Sequence, residues 1–522
     1  MASNRCAVQR SGLRRFESFF LSKAASGAAP SAAADDKWLG AVVACALLLR
    51  HAVSLSPYSG EGTPPRFGDY EAHRHWMEVT TSVPLAEWYS YDTDYWGLDY
   101  PPLMAYLERI LGAASVRFDP ASVALGASRG YETREHRAFM RGTVLALDAA
   151  VCVSAFVALS RRLHGARPGA AAAAALALLA PPLLLVDHGH FQYNCVPVGL
   201  ALWAVYAIDA GRPLIGAALF CLALNSKQTA LYFAPAIFFE LLARCCLAPQ
   251  TAGSAPQRAS AAAFVGRVAA LGAVVITTFA AVWAPLISAG AAPAALRRCF
   301  PFERGVFEDK VANAWYAAQV FLRVRDRLPR EALVAGAALA TLVGACGPCA
   351  ARGWLVAARR TPPTLRGLLA SLHVSALAFF LASYHVHEKA ILVPLAPLAL
   401  LHAYHPRYVE TFTVAATVSL APLACFEGQR LAYAATLGLY IAAAASLAPQ
   451  ARCASARRAA VVLLTALHAV AAGVTPPQCF PDIYPALTAL ACAACFSLAW
   501  LLACVKLALF YPACADARAK AE

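Results

Sequence analysis

The chain has 522 residues, of which 60% are hydrophobic and only 14% charged. Soluble domains carry about 25% charged residues, so this composition excludes an ordinary soluble fold and points to a polytopic membrane protein. The net charge of +14 comes largely from arginine-rich runs between apolar stretches, the pattern of cytoplasmic loops rather than of a nucleic-acid surface.

In chain order, residues 1–37 hold Arg5, Arg10, Arg14, Arg15, Lys23 and Lys37 and read as a basic cytoplasmic arm without a cleavable leader. The apolar run 38–55 then acts as an uncleaved anchor. Residues 56–141 form a long polar segment on the opposite side of the membrane, with a short interfacial helix at 103–111. Further apolar runs follow at 142–160, 169–186, 196–208, 214–224, 229–242, 268–289, 332–343, 367–383, 390–401, 412–425, 431–447, 459–472 and 486–505. The expectation is an all-α multi-pass domain over 38–511, with about 14 spans, several of them shorter than the ~20 residues of a straight crossing. Both termini, including the tail 512–522, are placed in the cytoplasm. The C-terminal Arg518 and Lys520 resemble a retrieval signal for the endoplasmic reticulum.

One group breaks the charge rule. Arg323, Arg325, Arg327 and Arg330 fall in the second large non-cytoplasmic segment, 290–330. An interfacial helix or an extra crossing would each account for them. The 17 cysteines lie mostly inside apolar runs, where they act as small hydrophobes. Cys346-Gly-Pro-Cys349 has thioredoxin-type spacing but closes an apolar run without a βαβ pattern, so a redox role is rejected. None of Asn4, Asn194, Asn225 and Asn313 begins an N-glycan acceptor motif.

The chemistry sits in five polar runs that this topology places on one face. The first is RFGDYEAHRHWMEVTTSVPLAEWYSYDTDYWGLDYPP (66–102), in which carboxylates alternate with aromatic rings. Rings stack on a sugar's apolar face and carboxylates take its hydroxyls, so the run suits a sugar; a solvated interhelical loop is the plainer account. DHGHFQYN (187–194) offers Asp187, His188, His190 and Gln192, for a metal or for hydrogen bonding. NSKQ (225–228) offers Lys227 and Gln228. FERGVFEDK (302–310) is by itself a charged loop. YHVHEK (384–389) places His385, His387 and Lys389 at a membrane edge, where they suit a lipid phosphate or, more simply, snorkel. Ionisable groups near membrane depth are costly and mark functional sites by default.

Together, GDYEAHRHWMEVT, YWGLDYPPLMAY, DHGHFQYN, KQTALYFAP, FPFERGVFEDKVANAWY and VHEKAIL resemble the dolichyl-phosphate-glucose α-1,3-glucosyltransferases of the endoplasmic reticulum, in family order from about residue 66 to about 395. Within that family, FEDKVANAWY and KQTALYFAP are similar to the enzyme that adds the first glucose to the nine-mannose lipid-linked oligosaccharide; the alternative is its sister, which adds the second. The resemblance implies a GT-C fold, a helical bundle with an active site on luminal loops. It implies an inverting displacement with Asp69 as base, and with His387, His385 and Lys389 on the donor phosphate. Asp99, Tyr100, Glu308, Asp309, Asp187, His190 and Gln192 are expected around acceptor or sugar. Dolichyl-phosphate-glucose and the dolichyl-diphosphate-linked oligosaccharide are the implied substrates, in a setting of membrane lipid. No nucleotide is released, so neither metal nor cofactor is expected. A polytopic lipid or sugar transporter is the other class considered, but no internal repeat supports it.

Overall fold

The computed structural model describes residues 32–165, 170–248, 257–300, 305, 310–358, 362–447 and 474–513. The basic arm up to residue 31, Glu308, Asp309, the run 459–472 and the tail from 514 lie outside the described residues. What is described is helical, apart from one isolated bridge between Leu247 and Arg258.

Helix α1 (Ala32–Ser54) leads into a polar segment that holds α2 (Gly68–Ser82) and α3 (Pro102–Phe118). Helix α4 (Arg134–His164) follows, then α5 (Ala170–Leu178) and α6 (Pro181–Phe191), which are bent by 57° about Ala180–Pro181. Next come α7 (Cys195–Asp209), α8 (Pro213–Leu224) and α9 (Ala234–Cys245). The long α10 (Ala261–Ser288) precedes the short α11 (Ala292–Cys299) and α12 (Ala314–Leu322). Helices α13 (Arg330–Ala357) and α14 (Leu365–Ala382) are joined by a short connection. The remainder is α15 (Leu392–Ala399), α16 (Pro406–Ser419), α17 (Ala421–Phe426), α18 (Arg430–Leu447) and α19 (Ile483–Ala513).

Helices α1, α4, α10, α13, α14, α18 and α19 are long and apolar enough to cross a membrane, and the bent α5–α6 pair gives an eighth if taken as one path. This is a multi-pass membrane protein. Several further runs expected from hydropathy fold as short helices: α7, α8, α9, α15 and α16 have 15, 12, 12, 8 and 14 residues. Each is shorter than the ~20 residues of a straight crossing. Prolines set several of these limits, with Pro213 and Pro406 each opening a helix at its first position. Helix α14 is central: 83% of its apolar stretch is buried, against 11% for α10, whose Val265, Ile276 and Ile287 face outward where lipid is the solvent.

Two expectations about the polar segments change. The helix foreseen at 103–111 is longer, Pro102–Phe118, and packs against α2. Gly112 of α3 lies so close to α2 that an added Cβ would stand 2.7 Å from the Met77 carbonyl oxygen. Among the described residues between 300 and 330 there is no helix of crossing length. The four-residue helix Val324–Arg327 follows Arg323, whose φ of 50° breaks it from α12.

A charge pair is hidden in the apolar runs. Arg50 of α1 is 1% exposed and donates from Nε to Oδ2 of Asp148 on α4 at 2.5 Å. His188 Nε2 donates to the same oxygen at 2.8 Å. Asp148 opens a π-helical turn, Asp148–Val153, within α4. Buried pairs add little over apolar replacements, but breaking one strands a charge at a cost of about 3–5 kcal/mol. Asp148→Ala is therefore expected to lower the thermal midpoint in detergent sharply. The paired replacement Arg50→Met with Asp148→Leu should recover part of that loss.

Candidate active site

Helix α2 carries the candidate base and is unusual: eleven consecutive residues, Tyr70 to Thr80, are buried although many are polar. The polar groups are paired with one another. Arg74, fully buried, donates to Glu71 at 2.6 and 2.7 Å and to Glu78 at 2.8 Å. It also reaches Ser128 Oγ and the Ser122 carbonyl. His73 donates to Glu108 of α3 at 2.7 Å. Asp69 and Glu71 sit in the first turn, where the helix dipole favours negative charge.

The entry to α2 is fixed by two interlocked glycines. Gly60 and Gly68 have φ of 76° and 69°. A Cβ on Gly68 would lie 2.6 Å from the Ser59 backbone, and one on Gly60 would lie 2.0 Å from the Phe67 carbonyl carbon. This close approach lets Ser59 Oγ accept from the Asp69 backbone N–H at 3.2 Å, while the Ser59 N–H donates to the His190 carbonyl at 2.9 Å. The Asp69 side chain is thereby aimed at the end of α6.

Three donors converge there. Lys389 Nζ and His190 Nε2 lie 2.7 and 2.8 Å from Asp69 Oδ2, and Gln192 Nε2 donates to the same oxygen. Among the described residues nothing bonds Oδ1. Lys389 Nζ also stands 3.0 Å from His190 Nε2. Behind Gln192, Lys227 donates to Gln192 Oε1 at 3.0 Å and to Asn194 Oδ1 at 2.7 Å, with its ammonium 4.8 Å from the Tyr100 ring centre. His190 continues on its far side to Glu427, with Nδ1 2.6 Å from Oε1.

Of the residues foreseen, Asp69, His190, Gln192 and Lys389 thus meet directly, and Tyr100 joins them through Lys227. Asp99 is tied in through its backbone carbonyl, which accepts from Gln228 Nε2; Gln228 also donates to the Cys299 carbonyl at 2.8 Å. His385 and His387 pack edge to face, ring centres 5.0 Å apart, a few residues before Lys389. His385 has φ of 58° and donates from Nδ1 to the Gly305 carbonyl at 3.0 Å. Asp187 has a different setting from the one expected. Its carboxylate is buried and caps α7, accepting from the Cys195 N–H at 2.6 Å and from Asn194 Nδ2 at 2.8 Å. His188 and His190 point to different carboxylates, Asp148 and Asp69, so the two rings do not converge. Among the described residues no cluster of three or more His, Cys, Asp or Glu side chains is arranged to hold a metal ion.

Residues 43–503 match the ALG6, ALG8 glycosyltransferase family. The chain belongs to this family. It is 36% identical over 488 residues to the dolichyl pyrophosphate Man9GlcNAc2 alpha-1,3-glucosyltransferase of Mus musculus, covering 86% of this chain and 92% of that one. The protein of the same name from Saccharomyces cerevisiae is 36% identical over 434 residues, 80% of this chain and 76% of its own. A probable enzyme of that name from Arabidopsis thaliana is 39% identical over 398 residues, 74% and 71% of the two chains. This family membership also sets the transporter reading aside.

The electrostatics of this glycosyltransferase's site follow from the contacts. Burial works to raise the Asp69 pKa, but Lys389 and then His190 outweigh it and hold the carboxyl well below the usual carboxylate range. Asp69 is thus ionised at neutral pH. Burial works to lower Lys389, and Asp69 and Glu388 more than compensate, so its ammonium is held above the usual lysine range. Among the described residues no carboxylate is bonded to Lys227. Burial, then repulsion from Lys389, pulls it down to about 8. A lysine lowered on folding costs stability below that pH, and the cost fades as pH rises from about 8 towards 10.5. In the folded protein its charge on Gln192 and Asn194 is lost as the pH passes about 8. Transfer activity is expected to fall above about pH 8, and Lys227→Arg, which keeps its charge, should move that fall to higher pH. A pH profile of kcat/KM for both forms checks it.

Proposed function

We propose that this protein transfers glucose from dolichyl-phosphate-glucose to the terminal mannose of the lipid-linked nine-mannose oligosaccharide, making an α-1,3 linkage with inversion. The observation that carries the reading is the Asp69 carboxylate, ionised and held by Oδ2 alone at a junction of α2, α6 and the turn before α15. The relatives' names, dolichyl pyrophosphate Man9GlcNAc2 alpha-1,3-glucosyltransferase, support the acceptor and the linkage.

In this reading the acceptor hydroxyl approaches Oδ1 of Asp69 and gives up its proton there as its oxygen bonds the glucose anomeric carbon. The bond from that carbon to the lipid phosphate breaks in the same displacement, which inverts the β-linked donor to an α-glucoside. Lys389, with His385 and His387 in the adjoining stretch, neutralises the departing dolichyl phosphate; positively charged donors placed where charge develops are the largest catalytic term in many enzymes. Asp99 and Tyr100 line the approach of the sugars, and the family resemblance gives Glu308 and Asp309 a part in binding acceptor or sugar. A monophosphate leaving group has no diphosphate for a metal to bridge, so the reaction is metal-independent. The site faces the lumen of the endoplasmic reticulum and both termini the cytoplasm, a placement supported by the arginine-rich loops at the opposite ends of the apolar runs.

The test is glucose transfer in vitro with purified protein, a short-chain dolichyl-phosphate-glucose and EDTA. Two acceptors are compared: the nine-mannose lipid and its monoglucosylated form. The expected result is transfer to the unglucosylated acceptor only, with Asp69→Asn lowering kcat by about a thousand-fold or more. Transfer only to the monoglucosylated form would assign the second-glucose reaction instead. Full activity of Asp69→Asn would remove Asp69 as base.

A further inference from the structure

Glu427 lies in the turn between α17 and α18, 237 residues from His190 in sequence, yet its Oε1 is 2.6 Å from His190 Nδ1. Both side chains are 4% exposed. The turn itself is locked. Gln429 Nε2 donates to Glu427 Oε2 at 2.9 Å and to the Pro57 carbonyl at 3.0 Å. Gly189 abuts the same side chain, since a Cβ there would lie 2.4 Å from Gln429 Oε1. Gly428 follows with φ of 73°, the left-handed conformation that lets the chain reverse there. The turn 427–429 is therefore pinned both to the segment that carries Ser59 and to the end of α6. A carboxylate held this firmly against an imidazole fixes which nitrogen bears the proton and which way the ring faces.

We propose that Glu427 is a positioning residue for the base: by accepting the His190 Nδ1 proton it fixes Nε2 against Asp69 Oδ2, so that Oδ1 alone meets the acceptor hydroxyl. This rests on the reading of Asp69 as base given above. Glu427 touches neither sugar nor phosphate in that reading; it acts through His190. In the position it enforces, the Nε2–H stays directed at Oδ2 of Asp69 and leaves Oδ1 to take the hydroxyl proton. Without Glu427 the imidazole holds its second proton less well, and the ring is free to turn. Asp69 then loses part of the positive charge that keeps it ionised, so its protonation moves to higher pH. The other charged groups facing this cluster are Lys389 and Glu388 from the turn before α15, and Lys227 across Gln192.

The experiment measures kcat, KM for the donor and the pH profile of kcat/KM for wild type, Glu427→Gln, His190→Gln and the double variant, each normalised to monodisperse protein of known thermal midpoint. Glu427→Gln is close in shape, which keeps the test open where Glu427→Ala fails to fold. Outer partners of catalytic groups are commonly worth about 10–100-fold in activity. Glu427→Gln is expected to lower kcat by about ten-fold or more, to leave donor KM within about two-fold, and to shift the acid limb of kcat/KM to higher pH. The double variant should lose little beyond His190→Gln alone, because residues that act as one unit are not additive. A wild-type kcat and acid limb in Glu427→Gln would overturn the proposal, as would fully additive losses in the double variant. A lowered thermal midpoint with an unmoved acid limb would make Glu427 merely structural. Well-folded wild type that transfers no glucose would overturn both this role and the underlying reading, whereas active wild type with an unaffected Glu427→Gln would remove this role alone.

Discussion

The ion pair between Asp69 and Lys389 is the constraint on which the rest of the site depends. It joins residues 320 apart in sequence and closes to 2.7 Å. In a bundle whose exterior is lipid, neither charge can be left without a partner, because removing one from water costs several kcal/mol. The pair therefore forces α2 and the turn before α15 to meet. His190 and Gln192 then have a fixed carboxylate to donate to, and Lys227, Asn194 and Tyr100 pack behind them. The same logic operates one layer deeper, where Arg50, Asp148 and His188 satisfy one another. The π-helical end of α6, Leu185–Phe191, links the two layers by presenting His188 to one and His190 to the other.

Helix α2 shows how a polar helix can be buried at all. Hydrophobic periodicity does not explain it, since its buried face runs all the way round. Glu71, Glu78, Ser128 and the Ser122 carbonyl surround the Arg74 guanidinium, and Glu108 receives His73, so that most of the helix's polar groups are bonded within the fold, the Tyr70 hydroxyl being an exception. A network this dense is rigid, because each lost bond exposes a buried group without a partner. Rigidity here has a use in the proposed reaction: Asp69 sits on the first turn of this helix, and the base proposed there is effective only if its oxygen stays within hydrogen-bond reach of the acceptor.

Much of the site was legible in the sequence for a simple reason. Charges stand out in an apolar chain, and Asp69, His190, Gln192 and Lys389 all lie in compact polar runs. The resemblance of those runs to one family then indicated which of the charges belonged together. Glu427 was not legible, being a single acid in a short turn between apolar runs, with a role that depends on a partner 237 residues away. Arg50 was hidden in the same way: one arginine at the end of an apolar run signals little until Asp148 is seen opposite. Asp187 was visible but ambiguous, since an acid next to one histidine and three residues from another serves equally well as a ligand or, as found, as a cap for α7. The number of spans was less legible. Segments such as α7 and α8 are apolar but shorter than a straight crossing, and hydropathy alone does not separate burial in protein from burial in lipid.

The scattering of the site along the chain has a consequence for its biogenesis. Asp69 is made early, but Lys389 comes 320 residues later and Glu427 later still. At about 5–20 residues per second, roughly 20–60 s separate synthesis of the carboxylate from that of its lysine. His190 and Gln192 follow within 123 residues and supply part of what holds the acid, but the ammonium that completes the pair is still to come. A chain released before Lys389 therefore lacks the contact that ties α2 to the turn before α15.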